Sequence, residues 1–217
     1  MIYTLDHLKD AKKAPSSKRD RYSFHHRNRK VLFPVFFAVL TLVVFLLPLI
    51  DFRVLISGVI VILLTSLYLF SRSQFSVYGL KEVYAAFLYS AGILTVPFIL
   101  LEDVNWEVSG MLFFAALSNL LLFSWFEYED DLEDGFDSIA TKYGKNAAEK
   151  SILISISTGI SFALWSPFST VSLYFVIVYA TYALLFLNPS WSKMNRRYRT
   201  FGDAVFMLPV LFEFGDF

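Results

Sequence analysis

Seven stretches of this 217-residue chain are almost wholly apolar, at residues 31–50, 53–71, 81–101, 107–126, 149–165, 169–188 and 201–217. Each is close to the ~20 residues a helix needs to cross a hydrocarbon layer about 30 Å thick. In lipid the backbone must satisfy its own hydrogen bonds, which leaves helices or a closed barrel. Uninterrupted runs such as Val54 to Leu64 lack the alternation of a barrel strand, so the expectation is an all-α polytopic transmembrane bundle of about seven spans. Composition agrees: 18% of residues are charged and mean hydropathy is +0.55, whereas soluble domains carry about a quarter charged residues. These values exclude a soluble globular enzyme, a disordered chain and a nucleic-acid binder. Cysteine is absent, which removes disulfides, thiolate metal sites and a cysteine nucleophile.

Lysine and arginine mark the side of the membrane on which short loops are retained. Nine precede the first run: Lys9, Lys12, Lys13, Lys18, Arg19, Arg21, Arg27, Arg29 and Lys30. Arg72 and Lys81 follow the second run, Lys142, Lys145 and Lys150 the fourth, and Lys193, Arg196, Arg197 and Arg199 the sixth. In a seven-span topology all of these lie on one face, with only Arg53 opposite, so the expected orientation is N-terminus cytoplasmic and C-terminus outside. Residues 1–30 are charged and have no apolar core of a signal peptide. With no repeat or linker, residues 1–217 read as a single transmembrane domain behind a cytoplasmic N-terminal segment.

The chemistry concentrates on that same face. Seven of the eleven residues in Glu127-Tyr128-Glu129-Asp130-Asp131-Leu132-Glu133-Asp134-Gly135-Phe136-Asp137 are carboxylates. No turn signal separates this run from the span before it, so the helix is expected to continue past Phe126. Glu127 and Asp131 then share a face, and Gly135 releases the chain. A second pair, Asp6 and Asp10, has the same spacing. Two opposed carboxylate pairs repel unless cations lie between them. Mg²⁺ suits the position, because it takes one or two carboxylates and completes its octahedron with water and phosphate oxygens.

These residues resemble the UbiA superfamily of membrane prenyltransferases. Its second motif places an acid, an Asp and a Gly at four-residue intervals, then a Ser/Thr, apolar, Ala, basic and Gly stretch. Glu127, Asp131 and Gly135 followed by Ser138-Ile139-Ala140-Thr141-Lys142-Tyr143-Gly144-Lys145 follow that pattern. The first motif is matched in part: Asp6 and Asp10 stand in place, while Ile2-Tyr3 occupy the positions of the family's Asn-Asp. Family members have nine spans, and counting residues 31–50 as the third puts Glu127 at the end of the sixth. The resemblance therefore implies a UbiA-like fold lacking two helices ahead of Met1, either as a fragment with a late start or as a reduced member.

What the resemblance implies for function is transfer of an isoprenyl group from an isoprenyl diphosphate to a lipophilic acceptor, such as one of aromatic or quinone type. Mg²⁺ would be held by Glu127, Asp131, Asp6 and Asp10, which are also the expected catalytic residues. Lys81, Arg21 and Lys142 are the expected diphosphate-binding residues, with Arg19 and Arg27 behind them, and Lys81 is equally readable as a snorkelling interface lysine. Asn119, two turns before Glu127, either lines the prenyl pocket or makes an interhelical hydrogen bond. Asp203 and Glu213 are ionisable groups in the last run that interfacial anchoring also explains. His7, His25 and His26 lack metal-ligand spacing. The expected partners are isoprenyl diphosphate, the acceptor and membrane lipids, with no nucleic acid, and the expected location is a bacterial inner membrane. The alternative is a non-enzymatic or inactive membrane protein whose acidic cytoplasmic loop binds cations.

Overall fold

The computed structural model describes residues 29–77, 80–101, 105–166 and 169–208. All regular structure among them is helical. Ten α-helices follow in order: α1 Arg29–Leu46, α2 Phe52–Val77, α3 Lys81–Leu101, α4 Trp106–Phe126, α5 Tyr128–Asp134, α6 Ile139–Tyr143, α7 Lys145–Trp165, α8 Thr170–Leu187, α9 Pro189–Lys193 and α10 Arg197–Ala204. Six stretches are long and apolar enough to cross a membrane: Val31–Leu49, Phe52–Phe70, Lys81–Leu100, Trp106–Phe126, Lys145–Trp165 and Thr170–Leu187.

Six of the seven apolar runs thus fall on spanning helices, with ends that local chemistry adjusts. The first run leaves α-geometry at Leu46 and closes with a 3-10 turn around Pro48. Asp51 then starts α2, its carboxylate accepting the Arg53 amide at 2.8 Å. The fifth span begins four residues before the expected 149, because Gly144 (φ 87°) turns the chain directly into α7. The seventh run was expected to span at 201–217. Its first residues instead complete the short α10 and a 3-10 turn at Val205–Met207, and residues 209–217 lie outside the described residues.

The described residues up to Ile60 and those from Val61 onward form two compact units. Within the first, α1 carries Pro34 inside an otherwise continuous apolar helix. Within the second, α4 is the central element, packed by α3, α7, α8 and α10. Its sequence is apolar all round, as expected of a helix buried on every side, and 61% of its spanning window is buried against 22% for α3.

Small and hydroxyl side chains let these helices approach closely, as is usual in membrane bundles. Ser118 of α4 and Ser155 of α7 share a buried hydrogen bond of 2.8 Å. The Tyr179 hydroxyl of α8 donates to the Met111 carbonyl of α4 at 2.5 Å. A Cβ on Gly159 would lie 2.1 Å from the Tyr179 ring, so that crossing requires glycine.

Candidate functional site

The acidic run starts where α4 ends. Glu127 departs from ideal helix (φ −96°, ψ 10°), yet its amide still bonds the Phe123 carbonyl at 2.9 Å and its carbonyl accepts the Asp131 amide at 2.7 Å. The helix therefore continues into α5 through a slight break, much as the absence of a turn signal implies. Gly135 (φ 68°) caps α5 in the left-handed conformation, where the Phe136 amide bonds back to the Asp131 carbonyl at 2.8 Å. Glycine is needed there because other L-residues are strained at positive φ.

The next residues are pinned. Ser138 and Thr141 form a reciprocal capping box at the start of α6, and the Ala140 amide donates to the Ser124 hydroxyl of α4 at 3.3 Å. Lys81 Nζ donates to the Asp137 carbonyl at 3.0 Å. Glu82 accepts the Ile139 amide at 3.0 Å. Glu82 is only 5% exposed, and its second oxygen has no partner among the described residues. Asp131 lies near enough to Glu82 to act on its charge.

At the end of α4, Glu127 is buried, 7% exposed. Its Oε1 accepts the Tyr198 hydroxyl at 2.9 Å and both Nε and Nη2 of Arg199. A turn with Asn195 and Arg196 at φ 51° and 55° precedes α10, which packs on α4 and brings both partners in. The Arg199 guanidinium also lies over the Phe123 ring at 4.8 Å, and the Tyr198 ring stacks on Phe126 at 4.6 Å. Burial opposes the Arg199 charge, but the Glu127 carboxylate more than offsets it and raises the Arg199 pKa. Burial, reinforced by the Glu127 charge, pushes the Tyr198 hydroxyl up to about 12.

The expected residues divide accordingly. Asp131 is half-buried and Lys142 exposed on α6, both at this helix end. Asn119 is buried one level deeper, where its amide donates to Asp203 Oδ1 at 3.2 Å. Asp6, Asp10, Arg19, Arg21, Arg27, the three histidines and Glu213 lie outside the described residues. As Mg²⁺ donors the residues fit in part: the half-buried Asp131 suits the role, whereas Glu127 is already neutralised by Arg199. Among the described residues no three carboxylate or imidazole side chains gather as a metal site.

Sequence reading missed Glu82, Tyr198 and Arg199. An acidic residue beside Lys81 inside an apolar window was the signal for Glu82. Arg199 was hidden among loop cations that topology alone explains.

No family model, curated protein or solved structure matches this chain. Among the described residues the fold and site define a helical protein with six helices fit to span a membrane and an acidic helix end contacted by Lys81 and Arg199.

Proposed function

We propose that this protein is a UbiA-like prenyltransferase, moving an isoprenyl group from an isoprenyl diphosphate to a lipophilic acceptor. The observation that carries this reading is the helix end itself. Glu127, Asp131 and Gly135 keep their four-residue spacing through a continued helix and a left-handed cap, and Arg199 and Lys81 reach the same end from distant parts of the chain. These two cations fix the helix end in place, and a diphosphate leaving group would be met there through a divalent ion on Asp131, with Lys142, exposed on α6, as the described cation proposed to bind it.

In this reading the allylic carbon–oxygen bond breaks, the acceptor bonds to the allylic carbon and loses a proton, and diphosphate leaves. Asp131 is the described residue that would hold Mg²⁺, with Asp6 and Asp10 as the further ligands implied by the resemblance. When bound, Mg²⁺ supplies charge neutralisation for the leaving diphosphate. Lys142 and Arg21 are the proposed diphosphate-binding cations. Arg199 orients Glu127 and holds the end of α4, and the apolar bundle excludes water from the allylic cation. Asn119 is proposed to border the prenyl chain. The retained lysines and arginines favour a cytoplasmic site, and we place the protein in a bacterial inner membrane.

One observation favours a second reading, a non-enzymatic membrane protein with a cation-binding acidic loop: Glu127 is committed to Arg199. The test is transfer of label from radiolabelled isoprenyl diphosphate into organic-soluble product, using detergent-purified protein and a membrane lipid extract as acceptor. Prenyl transfer predicts Mg²⁺-dependent product that Asp131→Asn abolishes. Undiminished product in Asp131→Asn contradicts the assignment, and weak Mg²⁺ or Ca²⁺ binding without any transfer supports the second reading.

A further inference from the structure

The first two residues of α3 touch the loop after the acidic run at two points. Lys81 Nζ donates to the Asp137 carbonyl, and Glu82 accepts the Ile139 amide, both at 3.0 Å across 56 or more residues of sequence. The bonded groups flank Ser138, the N-cap of α6. One contact therefore captures a loop carbonyl just before the capping box, and the other captures an orphan amide in the first turn of α6. Adjacent residues at the start of a rigid helix thus fix the position and direction of the segment between Gly135 and α6.

The chemistry of the two contacts is directional. Asp137 is an exposed loop residue, yet it is its carbonyl that the lysine engages. Glu82 is 5% exposed, with one oxygen bonded to backbone and the other without a partner among the described residues. A carboxylate this buried gains nothing from a lipid or water surface, and here its bonded oxygen is spent on holding Ile139. The loop it holds descends directly from Asp131, whose carbonyl in turn bonds the Phe136 amide at 2.8 Å.

We propose that Lys81 and Glu82 are positioning residues, a two-point clamp that sets the acidic helix end for diphosphate binding through hydrogen bonds to Asp137 and Ile139. Lys81 then acts as a backbone donor, not as a diphosphate ligand. This inference rests on the diphosphate-binding reading and assigns the α3 start its part in it.

The clamp needs a donor at 81 and an acceptor at 82, whereas a phosphate ligand at 81 needs positive charge. Neutral amides separate the two. Lys81→Gln, Lys81→Met, Glu82→Gln and Glu82→Met are compared in detergent with Mg²⁺ and farnesyl S-thiolodiphosphate, reading ligand-induced thermal shift, with the unliganded melting temperature as the control for folding. Hydrogen exchange at Ile139 reports the clamp directly.

The clamp predicts that Glu82→Gln keeps most of the wild-type shift and that Lys81→Gln, a donor one bond shorter than lysine, keeps clearly more of it than Lys81→Met. Each Met variant weakens binding on the order of tenfold, as expected for a lost positioning hydrogen bond, and Glu82→Met loses protection at Ile139. A Lys81→Gln variant as impaired as Lys81→Met, with Ile139 still protected, overturns the clamp and makes Lys81 a charge ligand. A wild type with no ligand-induced shift overturns the diphosphate reading and the clamp's role with it. Unchanged binding in both Met variants overturns the clamp alone.

Discussion

Two carboxylates flank the same helix end and are buried to the same degree, Glu127 at 7% and Glu82 at 5% exposure, but they are satisfied in different ways. Glu127 meets a side-chain cation and a phenol delivered by α10. Glu82 meets a backbone amide and leaves one oxygen without a partner among the described residues. The first arrangement is an ion pair whose strength comes from charge. The second is a hydrogen bond whose value comes from where it holds the loop. Loss of charge should therefore matter at Glu127 and matter little at Glu82.

The largest expected effect is at the ion pair. Arg199→Met leaves Glu127 buried without its cation, and removing one partner of a buried pair costs about 3–5 kcal/mol. Arg199 is itself partly exposed, so the lower end of that range is expected in unfolding measurements on detergent-purified protein. Adding Glu127→Gln to Arg199→Met should recover much of the loss, because the stranded charge is then gone. No recovery would show that Arg199 acts through its packing on Phe123.

Next comes Glu82. Glu82→Met should cost about 1–3 kcal/mol through the unpaired Ile139 amide, while Glu82→Gln should lie within about 1 kcal/mol of wild type by the same unfolding measurement. A Gln variant as damaged as the Met variant would erase the distinction between the two carboxylates.

The smallest effect is at Tyr198. Tyr198→Phe removes one hydrogen bond but leaves Arg199 on the Glu127 carboxylate, so no buried group is stranded and the cost is about 1 kcal/mol. Burial first, and the Glu127 charge second, raise this hydroxyl from 10.0 to about 12. Between those values the folded state holds a proton that the unfolded chain has lost, so stability falls as pH rises through that window and is unaffected below it. Tyr198→Phe should flatten that part of a stability-versus-pH curve. An unchanged slope would place the titrating group elsewhere.

Much of this was legible in the sequence, and the limits have physical causes. Span positions followed from apolar length, which is what a bilayer reads. The α3 start at Lys81 and the α4 end at Phe126 were found where charge begins. The helical course on to Gly135 followed from four-residue periodicity and left-handed capping, although the helix breaks at Glu127 (φ −96°, ψ 10°), which that periodicity does not show. The start of α7 was placed late because Lys145 and Asn146 look like loop residues until Gly144 is seen to turn the chain. What the sequence did not disclose was pairing at long range. Arg199 reaches Glu127 across 72 residues and Glu82 reaches Ile139 across 57, and no local periodicity encodes either. Glu127 was expected to face a metal. Its burial against Arg199 depends on α10 packing onto α4, which a one-dimensional pattern does not specify.

The central claim is that this acidic helix end binds an isoprenyl diphosphate through Mg²⁺. Its most direct test is the thermal shift of detergent-purified protein with Mg²⁺ and farnesyl S-thiolodiphosphate, comparing wild type with Asp131→Asn. Ligand at a hundred times its dissociation constant should stabilise wild type by roughly 2.7 kcal/mol, only when Mg²⁺ is present, and Asp131→Asn should show no such shift. A wild-type protein that does not respond, or an Asp131→Asn variant that responds equally, would contradict the account.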